Sequence, residues 1–260
     1  MTLCRALAGG VGALAAAALA SGPAQAQGIP SLRGSIGAEY SRLHDTGGTG
    51  SGNLWSGTGD VVAPLGLSGI HLQGNLRVDH SDGSLPGRTN WDVAGAVFWR
   101  GALGAFGAGV GYLTTSGGPD FDFTHYGIFG EAYLADQFTL VARGGLFDGS
   151  GFTGEYYGGG LRFYALPNLS VTGRADVTDV DGTGNVIDYS VMGEYLLGWY
   201  LPMVLYGGYT YTDIPGTPGH LNIYSVGLRV LLGDESVSLL AQDRGGPIRN
   251  LHMPLKSLGL

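Results

Sequence analysis

The sequence predicts an all-β fold, a transmembrane up-and-down antiparallel β-barrel of about 12 strands. Three observations carry that prediction. Blocks of roughly ten residues alternate apolar with polar side chains from Leu32 to Leu232. The clearest is Ile70-His71-Leu72-Gln73-Gly74-Asn75-Leu76-Arg77-Val78-Asp79, and a period of two puts its two sets on opposite faces of a strand. Connections alternate between tight, partly apolar turns and polar loops rich in Gly, Asp, Ser and Pro, as expected when every second connection faces the same side of a membrane. Glycine supplies 50 of the 260 residues, and a closed, strongly coiled sheet needs glycines inside its strands.

The chain opens with Met1-Thr2-Leu3-Cys4-Arg5, an apolar run over Val11 to Ala20 and a small-x-small site at Ala26. These read as a secretory signal peptide over 1–26, cleaved near Ala26. Cys4 is the only cysteine, so the exported chain is expected to hold no disulfide and no thiolate metal site. The barrel is placed at 27–232 and a C-terminal tail, assigned to the periplasm, at 233–260. Disorder is the default for such a tail, with a fold back into the lumen or contact with a partner as the other readings.

The strands follow in order. The first, 32–43, directs Glu39 inward and leads through the polar loop His44 to Ser51 into 52–63. After Pro64-Leu65-Gly66-Leu67, strand 69–80 turns Ile70, Leu72, Leu76 and Val78 to lipid and His71, Gln73, Asn75, Arg77 and Asp79 inward. Beyond Ser81 to Thr89, strand 90–100 offers Trp91, Val93, Val97 and Trp99 to lipid and Asp92 and Arg100 to the inside. The glycine-rich 102–114 carries Gly104, Gly107, Gly109 and Gly111. Strand 122–134 brings His125 and Glu131 inward. Ala135-Asp136-Gln137 turns into 138–147, with Leu140, Ala142 and Leu146 outward and Arg143 inward. Strand 153–165 contributes Gly158, Gly159, Gly160 and Arg162. After Pro167-Asn168, strand 169–178 sends Leu169, Val171, Ala175 and Val177 outward and Arg174 and Asp176 inward. Strand 186–198 adds Asp188 and Glu194, followed by 203–212. The last strand, 221–232, turns Tyr224, Val226, Leu228, Val230 and Leu232 to lipid and Arg229 inward. Trp99, Tyr133, Phe138, Phe163, Tyr164, Trp199 and Tyr200 gather near the tight turns, forming a candidate interfacial girdle. The tight turns are assigned to the periplasm and the polar loops to the outside.

The formal charge is −8, with only 13% charged residues and Lys256 the sole lysine. An acidic chain with scattered arginines has no basic patch for nucleic acid, and no residue pattern calls for a cofactor. The histidines show no metal-ligand spacing, and Gly-x-Ser-x-Gly is absent.

Together the leader, the alternating strands and the last strand resemble bacterial outer-membrane β-barrel proteins of the small porin-like type. The final strand carries the resemblance most directly, with Ser225, Gly227, Val230 and Leu232 at the spacing of that class's assembly signal. The sequence departs from the class in continuing past this strand. The resemblance implies a Gram-negative outer-membrane location, contact with outer-membrane lipid and lipopolysaccharide, and recognition of Ser225-Leu232 by the assembly machinery.

The expected activity is passive diffusion of small hydrophilic solutes. The expected path is lined by Glu39, Arg77, Glu131, Arg143, Arg162, Arg174, Asp188, Glu194 and Arg229, with no catalytic and no metal-binding residue. Hairpins centred on Gln137, Asn168 and Gly184 would set Glu131 opposite Arg143 and align Arg162, Arg174 and Glu194 in one row. A non-conducting structural or adhesive barrel is the alternative, since about 8 strands leave a filled interior and 16 or more leave an open channel. A barrel hydrolase is a second alternative, with Asp79, His80, Ser81, Asp82 and Ser84, or His125, as the place to look. Asp176, Asp179 and Asp181 hint at loose calcium contact, without the glutamate at the twelfth position of the helical calcium loop.

Overall fold

The computed structural model describes residues 32–252 apart from 48–49, 67, 84–86, 118–120, 183, 199–201, 217–218, 234–237 and 250. The expected signal peptide, Trp199, Tyr200 and Ser84 lie outside the described residues. The strands are β1 (Arg33–Asp45), β2 (Gly50–Pro64), β3 (Ile70–Gly83), β4 (Thr89–Gly101), β5 (Gly104–Ser116), β6 (Asp122–Tyr133), β7 (Phe138–Gly149), β8 (Phe152–Leu166), β9 (Leu169–Val180), β10 (Gly184–Gly198), β11 (Pro202–Asp213) and β12 (His220–Leu232). Each pairs antiparallel with its sequence neighbours, and β1 pairs with β12 from Gly34↔Leu232 to Asp45↔Leu221, closing the barrel. A short helix, α1 (Leu239–Gly245), follows.

The alternation read from the sequence places the side chains. Ile36, Leu72, Val97, Phe106, Val110, Ile128, Leu140, Val191, Leu205 and Val226 are exposed on the outer surface, while Gln73, Asn75, Asp92, His125, Glu131, Arg162, Asp176 and Glu194 are buried inside. A soluble sheet would reverse that arrangement, because exposed aliphatic side chains in water forfeit about 1.5–3 kcal/mol each. No described helix is long and apolar enough to cross a membrane; the outward apolar faces belong to the strands. At 12 to 15 residues they exceed the roughly 9–11 needed for a tilted crossing.

Aromatic rings mark both ends of the outer surface. Trp99 and Phe106 (centroids 5.5 Å apart) and Phe138 and Phe163 (5.0 Å) lie toward the tight turns. Tyr40 and Trp55 (4.7 Å) and Tyr209 and Tyr224 (5.3 Å) lie toward the polar loops. Two members of the expected girdle point elsewhere. Tyr133 and Tyr164 have inward parity, and their hydroxyls donate to Glu131 (3.3 Å) and Asp243 (3.0 Å) inside the barrel.

The lumen is less watery than the polar inner sets alone suggest. Leu113, Phe123, Phe147 and Tyr156 form one apolar cluster, and Leu43, Leu54 and Ile223 another, both toward the polar loops. A third, Val62, Ala96, Phe98, Ala105 and Phe129, lies toward the tight turns and packs on Ile248 and Leu251 of the tail.

Candidate functional site: a charged lumen and its internal tail

All nine expected path residues have the inward parity of their strands. Their partners differ from the expected rows. Arg143 stands opposite Phe129 and Glu131 opposite Val141. Arg162 stands opposite Thr172, and Arg174 opposite Gly160 and Ser190. The hairpins centre on Asp136, Pro167 and Gly182 instead of Gln137, Asn168 and Gly184. Each residue by which a centre moves shifts the pairing by two, so the first two hairpins shift by two and the third by four, which keeps each side chain on its face but gives it a new neighbour.

The ion pairs that join two strands therefore skip a neighbour. Asp176 on β9 takes Arg143 Nη2 from β7 at 2.9 Å and Arg174 Nη2 at 3.1 Å. Glu194 on β10 takes Arg229 Nη2 from β12 at 3.0 Å. Long guanidinium side chains reach across the curved inner wall, because inward side chains converge where outward ones diverge. Within β3, Arg77 Nε donates to Asp79 at 2.7 Å. Glu39 accepts from Ser41 at 3.0 Å, and Asp188 accepts from Thr212.

The described tail, 238–249 with 251–252, lies inside the barrel, against the default of disorder. The Ser238 hydroxyl caps α1 by accepting from Ala241 N (3.1 Å), and Leu239 N donates to Pro167 O in a tight turn (2.7 Å). Leu239 is fully buried against Tyr164, Leu196 and Val204. Gln73 on β3 holds the next stretch as a paired strand would, accepting from Ile248 N (2.7 Å) and donating to Ile248 O (2.6 Å). Arg100 Nη1 donates to Gly246 O and Arg143 Nη1 to His252 O, each at 2.7 Å. Asp92 accepts from His125 (3.2 Å) on one oxygen and from His252 (3.0 Å) on the other.

The charged centre joins tail to wall. Asp243 is buried and takes Arg162 Nη1 and Tyr164 Oη, both at 3.0 Å, on one oxygen. Its other oxygen takes Arg249, which also binds Glu194. The network thus reads Tyr164 and Arg162 to Asp243, to Arg249, to Glu194, to Arg229. Asp243 and Arg249 were absent from the sequence-derived site, although the apolar positions flanking them carried a signal that this segment buries something.

The candidate catalytic groups do not converge. Asp79 faces the lumen against Arg77, whereas His80 is exposed on the outside and bonds Thr89 Oγ1 at 3.0 Å. Strand alternation separates neighbours that the sequence places side by side. Asp176, Asp179 and Asp181 also part, since Asp176 is held by arginines inside and Asp181 accepts from Thr153 at the loop end. Among the described residues no group of three His, Cys, Asp or Glu side chains is placed to hold a metal ion.

Backbone approach protects the Asp176 pair. A Cβ added to Gly158 would collide with Asp176 Oδ1 and Ala175 O, whereas one added to Gly173 on the outer face meets nothing within 4 Å. Gly158→Ala should cost about 1–3 kcal/mol through overpacking, read by unfolding of the lipid-reconstituted protein. Gly173→Ala should leave stability near the parent value, and equal effects from both would contradict the packing.

No protein-family profile matches the chain, and no curated protein matches it in sequence. Solved structures do. An outer membrane channel from Pseudomonas putida F1 aligns at TM-score 0.56 and 15% identity, over 81% of this chain and 98% of that one. The chain has the outer-membrane β-barrel fold. The KdgM porin aligns at TM-score 0.52 and 15% identity, over 75% of this chain and 98% of its own. The beta domain of the Bordetella autotransporter Brka aligns at 0.50 and 14%, over 77% and 99%. At such identities the likeness is one of fold.

Proposed function

We propose that this chain is a passive outer-membrane channel for small hydrophilic solutes, with the nine charged wall residues lining the path and the tail occupying it in this conformation. The observation that carries the reading is the placement of arginines and carboxylates from most of the strands on one inner surface. Burying charge is costly, and a barrel needing only a filled core is more cheaply packed with apolar side chains. Rings of charged side chains set the selectivity of pores, and the fold is one that channels use.

The test is current through the purified protein in a planar bilayer. Stepwise conductance above baseline is expected, and its complete absence with the tail released as well as docked would overturn the channel. Replacing Arg143 and Arg174 together by glutamine should shift ion preference toward cations severalfold, because Asp176 then keeps its charge without partners. Unchanged selectivity would place these arginines off the path.

A further inference from the structure

We propose that Arg162 and Tyr164 form a carboxylate seat in the channel wall, that Asp243 of the tail fills it as a tethered self-ligand and shuts the path, and that a carboxylate-bearing solute takes the same seat when the tail withdraws. This rests on the channel reading above.

The seat is built by the barrel alone. Arg162 is 6% exposed and Tyr164 3%, and both direct a donor to the same Asp243 oxygen at 3.0 Å. Arg162 Nε is fixed by Thr172 Oγ1 (3.1 Å), so the guanidinium is oriented whether or not the tail is present.

Arg162 loses its ion pair when the tail leaves, whereas Arg100 loses only the carbonyl of Gly246. Without the tail, Glu194 keeps Arg229, Asp176 keeps Arg143 and Arg174, and Asp92 keeps His125. Asp243 is the only carboxylate within ion-pair distance of Arg162 among the described residues. Withdrawal therefore leaves a confined cation beside a phenol, and a carboxylate matches both donors.

The tail's grip is incomplete in a way that suits release. Gln242 is 4% exposed, yet neither polar atom of its amide has a partner among the described residues. Such a group favours the state in which water reaches it. The tail also inserts at one end of the lumen and is joined to the last strand, so leaving requires no opening of the sheet. A tethered ligand acts at high effective concentration, so a free solute competes weakly until the tail's own carboxylate is lost.

The experiment uses the full-length chain with Asp243→Asn, which keeps shape and removes charge. Trypsin reads tail position without any current, because Arg249 is held in the lumen by Asp243 and Glu194 and Arg244 is held at its rim by Ala135 O and Phe138 O. Cleavage after these residues should run at least tenfold faster in D243N, and equal protection would overturn the self-ligand. In bilayers D243N should raise open probability at least tenfold over the parent, and potassium glucuronate at millimolar concentration should block those openings. Adding Arg162→Gln should weaken that block tenfold or more, and block unaffected by R162Q would overturn the seat. Faster tryptic cleavage with no current in either protein would overturn the channel reading while leaving the docked tail standing.

Discussion

Glu194→Ala is expected to destabilise the folded barrel by about 3–5 kcal/mol, the cost of removing one partner from a buried ionic group. Glu194 is 2% exposed and receives Arg229, Arg249 and the Ser170 hydroxyl. Alanine would leave two guanidinium groups facing each other in a largely buried space. Glutamine keeps an acceptor without the charge, so E194Q should fall between parent and alanine. The network makes a sharper statement about coupling. Arg249→Ala removes one of the stranded cations, so E194A/R249A should be more stable than the two single losses combined predict, by at least about 1 kcal/mol. Denaturant unfolding of protein folded into lipid vesicles measures all four. Strict additivity would show that Arg249 does not sit on Glu194.

The second large effect concerns the outer surface. Ile128 lies in the middle of β6, points outward and is 71% exposed. Ile128→Arg should cost about 2–4 kcal/mol if hydrocarbon surrounds the barrel there. Thr124→Arg has the same facing but lies four residues nearer the polar-loop end, roughly 13 Å along the strand, and should cost only about 0–1 kcal/mol. That depth dependence is the signature of a bilayer. A soluble barrel would tolerate arginine at either position, and a flat response would remove the membrane from the picture.

These two residues also show what could be read from the chain. Ile128 and Glu194 were assignable to opposite faces because side-chain direction along a strand depends only on counting. The same counting found the strands and the inward facing of the charged residues. It did not find their partners. Arg143 was expected against Glu131 and meets Asp176, because hairpin register turns on the backbone angles of a few turn residues, such as Ala135 at φ 85°. Tyr164 was expected at the interface and lies inside, because an aromatic near a turn fits either face and parity from the true strand start decides.

The tail marks the boundary most clearly. Its residues have no repeat and no turn chemistry that points to a destination, so local reasoning defaulted to disorder. Docking depends on groups far away in the chain: Gln73 matching the Ile248 backbone, Arg162 and Tyr164 matching Asp243, and Glu194 matching Arg249. What the amino-acid order determined by itself was the alternation, the strand boundaries within a few residues and the side of the wall on which each charge lies, since these follow from near-neighbour geometry. Only closure of the barrel decided which charges meet and where the tail rests, because those contacts join residues that nothing but the completed curvature of the sheet brings together.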